Sequence, residues 1–440
     1  MIGRRIDVNI AGGLDVALPR IVRVRQKFDA PKLSNVTQAV GEQMGRAQLR
    51  AKVRPGMTIA IGCGSRGIRN LRECVAATVA ELKAMGAKPF VFPAMGSHGG
   101  ATAEGQREVL ESYGVNEESV GCPIRATMET VDLGRMDEGM PVYMDRYAAE
   151  ADGVVFVARV KPHTNFRAAI ESGIVKMMTI GMGKMTGAAE LHTRGMDTFG
   201  ELLPKIAEFI MARKNILFGL AMVENAVEET ALIEAIPAEH LLRREAELLR
   251  RARELMARLY FDEIDVLVVE RIGKNISGAG MDPNVTGRNL RAIQWEEKPR
   301  VQKIVALGLT AETHGNATGV GAADVITMRL YQQMDVAQTY ANVITSTYLD
   351  GAAIPCVMNT DKEAISLAVK TVIRVKPEAL KLVRIHNTLE LGLIEVSEAL
   401  LPLVRGDSSR FEVLSEPEPL SFDARGNLPT LTMRASEQAA

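Results

Sequence analysis

Short apolar runs that alternate with helical patterns constrain the fold of this chain most strongly. Three of these runs are MTIAIGCGSRG (57–67), KPFVFPAMGSHGG (88–100) and ADGVVFVARVKPH (151–163), and each ends in a polar loop. Helical patterns follow the first two runs, over 69–86 and near 102–113. Near-continuous apolar strands that alternate with helices are typical of a parallel sheet covered by helices. The sequence therefore predicts an α/β fold.

The length of 440 residues indicates more than one domain, because a single ordinary core does not grow to that size. We expect two α/β domains with parallel-type sheets and an active-site cleft between them. The clearest helical pattern, 238–260, is interpreted as an amphipathic packing helix, with a partner-binding helix as the alternative. A new strand pattern follows it. The predicted domains are therefore 1–262 and 263–411, with 412–440 either packing back on the first domain or fraying.

Composition excludes several classes of protein. The formal net charge is -1 and aromatic residues make up 4% of the chain, which argues against a nucleic-acid surface. The four cysteines form no C-x-x-C pair, so a zinc ribbon or disulfide framework is not indicated. Neither a signal peptide nor an uninterrupted apolar run long enough to span a membrane is apparent. We expect a soluble, cytoplasmic protein that binds neither nucleic acid nor membrane.

Polar side chains that could bind a ligand or take part in catalysis lie where the predicted strands end. Arg66, His98 and His163 follow the three strands, and ligands of parallel sheets collect at that edge. His192 and His314 also lie in or beside loops rich in glycine or threonine. Neutral imidazole suits both proton transfer near pH 7 and the binding of borderline transition metals. A single loop histidine more often makes local hydrogen bonds than takes part in catalysis, but three from one domain favour a polar cleft.

The stretch ESGIVKMMTIGMGKMTGAAELH (171–192) places Lys176 inside an apolar segment. Ser172 and Gly173 form a small-residue loop before a helix, which offers backbone N–H groups to an anion such as phosphate. A lysine in apolar surroundings can act as a nucleophile. The alternative is a lysine whose stem is buried and whose ammonium group reaches solvent. The residues alone leave both interpretations open and name no reaction.

Five short motifs in one order point to a known family. Residues 172–176 (SGIVK) fit S-G-x-x-K, and His192 follows Lys176 by 16 positions. Residues 96–98 (GSH) fit G-[ST]-H, His163 is a second histidine upstream of the lysine, and 63–66 (CGSR) is similar to D-x-T-R. On these motifs the chain resembles the nickel-pincer lactate racemase family.

The resemblance implies a cofactor and a ligand for its metal. The cofactor would be nickel held by pyridinium-3,5-bisthiocarboxylic acid mononucleotide, the nickel-pincer nucleotide, attached to Lys176 through a thioamide. Ser172 and Gly173 would lie near its phosphate. His192 would complete the coordination of nickel, a metal that accepts square-planar geometry. Cofactor-synthesis enzymes would be the implied partners.

The resemblance also implies the reaction, which is racemisation or epimerisation of a small-molecule 2-hydroxy acid by reversible hydride transfer to the pyridinium ring. His98 and His163 would be the acid/base pair, and Arg66 would hold the substrate carboxylate. Two alternatives remain: an α/β metal-dependent hydrolase that uses the same histidines, and a non-catalytic binder or carrier of the cofactor.

Departures from the family lie on the substrate side. Cys63 replaces the aspartate of D-x-T-R. In the second domain MDPNVTGRNL keeps the family's D-x-N as Asp282 and Asn284, but Gly287 and Leu290 occupy its glutamine and lysine positions. The candidate replacements for the missing cationic group are Arg288 and Lys274. We therefore expect a paralogue that keeps the cofactor and acts on a different 2-hydroxy acid.

Overall fold

The computed structural model describes residues 5–64, 67–136, 139–291, 293, 295–434 and 437. Arg66, the predicted carboxylate-binding residue, lies outside the described residues. The chain divides into two compact units. The N-terminal unit is Asp29–Met256, and the C-terminal unit is Ala257–Ala440 together with Met1–Phe28.

The described residues form the following strands: β1 Ile21–Gln26, β2 Thr58–Cys63, β3 Lys88–Pro93, β4 Thr130–Arg135, β5 Pro141–Asp145, β6 Gly153–Arg159, β7 Ile216–Glu224, β8 Thr230–Pro237, β9 Glu263–Val269, β10 Arg300–Ala306, β11 Val325–Thr327, β12 Cys356–Met358, β13 Leu382–Ile385, β14 Leu393–Ser397 and β15 Phe411–Val413. They form the following α-helices: α1 Val36–Met44, α2 Ala47–Arg50, α3 Leu71–Ala84, α4 Ala103–Ser112, α5 Glu117–Val120, α6 Arg146–Glu150, α7 Ile174–Lys176, α8 Lys184–His192, α9 Phe199–Met211, α10 Leu241–Leu255, α11 Pro283–Thr286, α12 Met328–Gln333, α13 Val336–Ser346, α14 Asp361–Lys370 and α15 Leu401–Gly406.

The N-terminal unit is built on a five-stranded sheet with the order β3-β2-β6-β7-β8. Its first four strands are parallel, and β8 closes one edge in the antiparallel direction. Strands β4 and β5 form a separate antiparallel ribbon. The predicted α/β class is confirmed, and the predicted strand-and-helix alternation is observed from β2 to α4.

Gly62 shows how tightly the centre of this sheet is packed. It lies in β2 directly between Phe92 of β3 and Phe156 of β6, whose rings are 6.4 Å apart. A Cβ atom at Gly62 would lie 2.7 Å from the ring of Phe156. Glycine is therefore required here because the two rings fill the space of its side chain.

The C-terminal unit contains an eight-stranded sheet with the order β12-β11-β10-β9-β13-β14-β1-β15. The strands from β12 to β13 are parallel. Each of β14, β1 and β15 runs antiparallel to its neighbours. The unit is therefore a parallel α/β sheet that is extended by three antiparallel strands.

The division of the chain differs from the predicted one at both ends. The boundary near 262 is observed at 256, but β1 joins the C-terminal unit, since it pairs with β14 and β15. The predicted tail 412–440 also packs within this unit rather than on the first one: Leu431 and Glu437 are buried there. The pairing partners of β1 are remote in sequence, and no local pattern reveals them.

Buried ion pairs cross the C-terminal sheet from strand to strand. Arg23 of β1 lies 3.1 Å from Glu395 of β14, and Arg384 of β13 lies 2.7 Å from the other oxygen of Glu395. Arg384 also binds Glu270, which follows β9. From the tail, Glu437 lies 2.6 Å from Arg23. These five side chains are each at most 7% exposed, so every charge depends on its neighbours for compensation.

Among the described residues, no helix is both long enough and apolar enough to cross a membrane.

Replacing Arg384 by methionine should strongly destabilise the C-terminal unit, because Glu395 and Glu270 would each lose a buried arginine partner. Of the described basic side chains, only Arg23 would remain beside Glu395 and only His386 beside Glu270. We expect a loss of about 3–5 kcal/mol in the free energy of unfolding. The single tryptophan, Trp295, belongs to this unit and reports its unfolding in urea. Lys381→Met, which removes the exposed pair with Glu263, is the control and should change stability by less than about 0.5 kcal/mol. Equal losses in the two variants would contradict the argument.

Candidate functional site

The loops that follow β2, β3 and β6 meet at the carboxyl edge of the N-terminal sheet, because these strands are adjacent and parallel. The segment 174–192 packs directly against this edge. The N–H of Gly96 donates to the carbonyl of Gly181 at 3.0 Å. A Cβ atom at Gly181 would lie 2.3 Å from the carbonyl oxygen of Ala94, so the two backbones touch. A Cβ atom at Gly64 would lie 3.1 Å from Met177, which brings the loop after β2 to the same place.

The segment that carries Lys176 and His192 is a broken helix. Helix α7 passes into a π-helical turn over Met177–Gly181, and α8 begins at Lys184 in the left-handed conformation, with φ of 55°. In one regular α-helix, residues 16 positions apart would point about 160° away from each other. The break therefore allows Lys176 and His192 to approach, and Lys176 is close enough to His192 to lower its pKa. Extra turns of this kind are frequent at functional sites.

His192 is held in the neutral form that a metal ligand requires. Burial lowers the pKa of its imidazole, and the positive charge of Lys176 lowers this pKa further. Its Nδ1 atom is buried and has no hydrogen-bond partner. A buried, unpartnered imidazole nitrogen is costly unless a ligand satisfies it. The donor set thus fits the role of a single protein ligand to a metal.

An aromatic chain joins His163 to His192. The ring of His163 lies 4.5 Å from Phe166, Phe166 lies 5.6 Å from Phe199, and Phe199 lies 5.4 Å from His192. The structure therefore brings His163, Lys176 and His192 into one neighbourhood. Two buried phenylalanine rings thus lie between the two histidine rings.

Glu171 organises the loop that carries His163. Its carboxylate is 1% exposed and accepts N–H bonds from His163 at 2.6 Å and from Ala168 at 3.0 Å. Arg253 of α10 binds the same carboxylate, and Arg167 lies 3.5 Å from it. The loop is thus wound around one buried anion, which two arginines compensate. Such charge-assisted bonds fix the backbone more firmly than neutral ones do.

A second buried carboxylate occupies the start of α7. Glu245 of α10 accepts N–H bonds from Ile174 at 2.8 Å and from Val175 at 3.2 Å. A Cβ atom at Gly173 would lie 2.5 Å from its carboxylate, so glycine leaves room for it. The prediction that the loop of Ser172 and Gly173 offers free helix N–H groups to a phosphate is therefore corrected. The carboxyl group of Glu245 already accepts from these donors.

Sequence reasoning missed Glu171 and Glu245, although a signal for the second exists. In α10 the buried positions Leu241, Leu248 and Ala252 form an apolar stripe, and Glu245 lies within it. An acidic residue on the apolar face of a helix needs a buried partner. The helix interpreted as packing does pack, and it also fixes the segment of Lys176.

The loop after β3 presents His98 at the surface. His98 is exposed and precedes a single 3-10 turn over Gly99–Ala101. Its N–H donates to Met95 at 3.1 Å, and its carbonyl accepts from the buried side chain of Gln106 at 3.2 Å. The loop is therefore tied down through its backbone while the imidazole remains accessible.

The two predicted cationic residues of the C-terminal unit lie at opposite edges of its sheet. Lys274 follows β9 at the carboxyl edge, and its ammonium group donates to Gly278 and Asn342. Arg288 binds Asp324 and the carbonyls of Val301 and Gln302, at the amino end of β10. Its guanidinium is used to hold the fold together. Of the two, only Lys274 lies at the edge where parallel sheets bind ligands.

The departures at Gly287 and Leu290 are built into the local fold. Gly287 has φ of 65°, and a Cβ atom there would lie 1.7 Å from the carbonyl oxygen of Pro299. Leu290 is buried. A glutamine side chain at the first position would clash with the backbone of Pro299, and a lysine at the second would have to be buried.

Within the described ranges, no three His, Cys, Asp or Glu side chains are grouped so that they could hold a metal ion. A site with one protein ligand, completed by a cofactor, does not require such a group.

The comparison with protein families matches residues 15–199 to the lactate racemase N-terminal domain. The resemblance drawn from the motifs is thereby confirmed, because residues 15–199 are similar to the lactate racemase N-terminal domain. No match was found among the curated proteins.

Two solved structures are similar at low identity. One is a Thermotoga maritima protein from a structural genomics consortium, with 13% identity, a TM-score of 0.46, and coverage of 62% of this chain and 69% of that one. The other is the lactate racemase apoprotein of Thermoanaerobacterium thermosaccharolyticum, with 13% identity, a TM-score of 0.42, and coverage of 69% of each chain.

The pH dependence of stability should reveal Glu245. Burial raises the pKa of its carboxyl to about 7 from an ordinary value of 4.5. Between these values the folded protein keeps a proton that the unfolded chain has lost, so a rise in pH favours unfolding. Relative to Glu245→Gln, the wild-type free energy of unfolding should therefore fall from about pH 4.5 to about pH 7 and then level off.

Glu254→Gln, on the exposed side of the same helix, is the control and should follow the wild type across this range. Parallel pH profiles of the wild type and Glu245→Gln would refute the assignment.

Proposed function

We propose that this protein is a racemase or epimerase of a 2-hydroxy acid that uses a nickel-pincer nucleotide. The observation that carries the proposal is the pair of Lys176 and His192, which the broken helix brings together. His192 is neutral and presents a buried nitrogen without a partner. The lactate racemase-like domain over 15–199 supports the same assignment.

In this proposal Lys176 carries the cofactor through its amino group and His192 is the protein ligand of nickel. When bound, the nickel-pincer nucleotide supplies a reversible hydride acceptor. The N–H groups of Ile174 and Val175 are bound by Glu245 and do not contact the phosphate. Ser172, which is half-buried beside them, remains the candidate donor to it.

His98 and His163 are the proposed acid/base pair. The Nδ1 atom of His163 accepts the N–H of Asn165 at 3.0 Å. In the neutral ring the proton is therefore on Nε2, and Nε2 is the atom that would exchange a proton with the substrate hydroxyl. Two such groups are needed because the hydroxyls of the two enantiomers point in different directions.

The substrate is proposed to differ from lactate. Gly287 has no room for a side chain and Leu290 is buried and apolar, so neither position presents the polar group that the family has there. Lys274 is the proposed cationic group on the C-terminal unit, and Arg66 is the proposed one on the N-terminal unit. The substrate that fits the altered residues at 287 and 290 is a 2-hydroxy acid that carries, in place of the methyl group of lactate, a substituent that makes different contacts.

Production of the protein together with cofactor-synthesis enzymes and nickel tests the proposal. We expect bound nickel, a mass adduct on Lys176 in the intact protein, and chiral turnover of at least one member of a panel of 2-hydroxy acids. Lys176→Ala should lose both adduct and turnover, while Lys205→Ala, an exposed lysine of α9, should lose neither. Activity or bound metal that survives in Lys176→Ala would favour a hydrolase instead.

Substitution of the proposed acid/base pair separates catalysis from carriage of the cofactor. His98→Gln and His163→Gln should each lower the rate of racemisation by about 10²–10⁴-fold, because each removes a proton-transfer group. Both variants should keep the adduct on Lys176. A loaded wild-type protein that turns over no hydroxy acid would instead indicate a carrier.

A further inference from the structure

Lys184 is the more deeply buried of the two lysines in the segment 174–192, which carries Lys176 and His192. Its side chain is 0% exposed and lies 3.0 Å from the carboxylate of Asp145, which is also 0% exposed. Its ammonium group further donates to the carbonyl of Pro93, at the end of β3, and to the amide oxygen of Gln106. Burial lowers the pKa of Lys184 and raises that of Asp145, and their mutual attraction opposes both shifts.

Gln106 of α4 continues this network toward His98. Its amide oxygen accepts from Lys184 at 3.0 Å, while its amide nitrogen donates to the carbonyls of Gly96 at 2.9 Å and His98 at 3.2 Å. Gln106 is 0% exposed. One side chain therefore joins Lys184 to two carbonyls of the His98 loop, which comprises residues 94–102.

This connection joins the segment that carries Lys176 and His192 to the loop that carries His98. Lys184 lies eight positions after Lys176 and eight before His192, at the start of α8. The N–H of Gly96 donates to Gly181 of the same segment, so the His98 loop meets it twice. A buried ion pair is weak support for stability, since apolar residues of similar volume often stabilise as well. The buried pair of Lys184 and Asp145 is better explained by its connection, through Gln106, to the His98 loop.

We infer that Gln106 and Lys184 are positioning residues that hold the His98 loop in register with the segment that carries Lys176 and His192. The inference rests on the proposed function for its catalytic meaning, but its structural part is independent of any cofactor. Both side chains are fully buried, so they are not proposed to contact the substrate. Both act through the backbone of the His98 loop, which sets where the imidazole can reach.

Amide hydrogen exchange in the apoprotein tests the structural part. In Gln106→Met the amides of residues 96–101 should exchange at least about tenfold faster than in the wild type, because their loop loses two anchors. Leu110→Ala, which removes a buried side chain from the same helix, is the control for general destabilisation. It should leave exchange in 96–101 unchanged relative to the rest of the unit.

A double variant approaches the network from its other end. Lys184→Met with Asp145→Asn removes both buried charges together, so that neither is left alone, and should accelerate exchange in the same loop. Wild-type exchange in the loop of both variants, or equal acceleration in Leu110→Ala, would overturn the inference. Since these measurements need no cofactor, they stand apart from the test of the proposed function.

The loaded enzyme supplies a second readout. Gln106→Met should keep the adduct on Lys176 and a KM near that of the wild type, while kcat falls by about 10²-fold as His98 loses its alignment. A merely structural residue would lower kcat only in proportion to the folded fraction. An unchanged kcat per folded molecule would also overturn the inference.

Discussion

The capture of backbone N–H groups by buried carboxylates is the interaction on which the rest of the site depends. Glu171 holds the loop of His163, and Glu245 holds the first turn of α7 just before Lys176. Both carboxylates depend on α10, which supplies Glu245 itself and the arginine that compensates Glu171. One helix, which packs against β7 and α7, therefore fixes two loops, and His163 and Lys176 take their positions from these carboxyl groups.

Much of the fold could be predicted from hydrophobic periodicity, and the residues explain where this failed. The strands and helices from β2 to α4 follow local patterns, since each buries a contiguous apolar face. By contrast, β1 has partners near residues 397 and 411, and pairing over such a distance leaves no local trace. The domain assignment of both chain ends failed for this reason.

The candidate site was predictable to the extent that it rests on short motifs with fixed spacing. The interval from Lys176 to His192 identified a segment that the structure shows to be a broken helix, and the break gives that interval its meaning. The supporting anions and Lys184 were not found, because their partners come from remote elements. Arg288 illustrates the opposite error. The sequence made it a candidate substrate-binding residue, but it lies at the amino end of β10, where it binds Asp324 and the carbonyl of Val301.

The pairing of β1 also determines the order in which the chain can fold during synthesis. Residues 29–256 form a contiguous unit, so every partner that this unit needs has been made once residue 256 emerges. Strand β1 is made before all of them, yet it must wait for Ser397 and Phe411 before its edges are paired. The residues that follow it, 29–256, complete a separate unit before its own sheet can form. Strand β1 is thus made before its partners and has unpaired edges until they emerge.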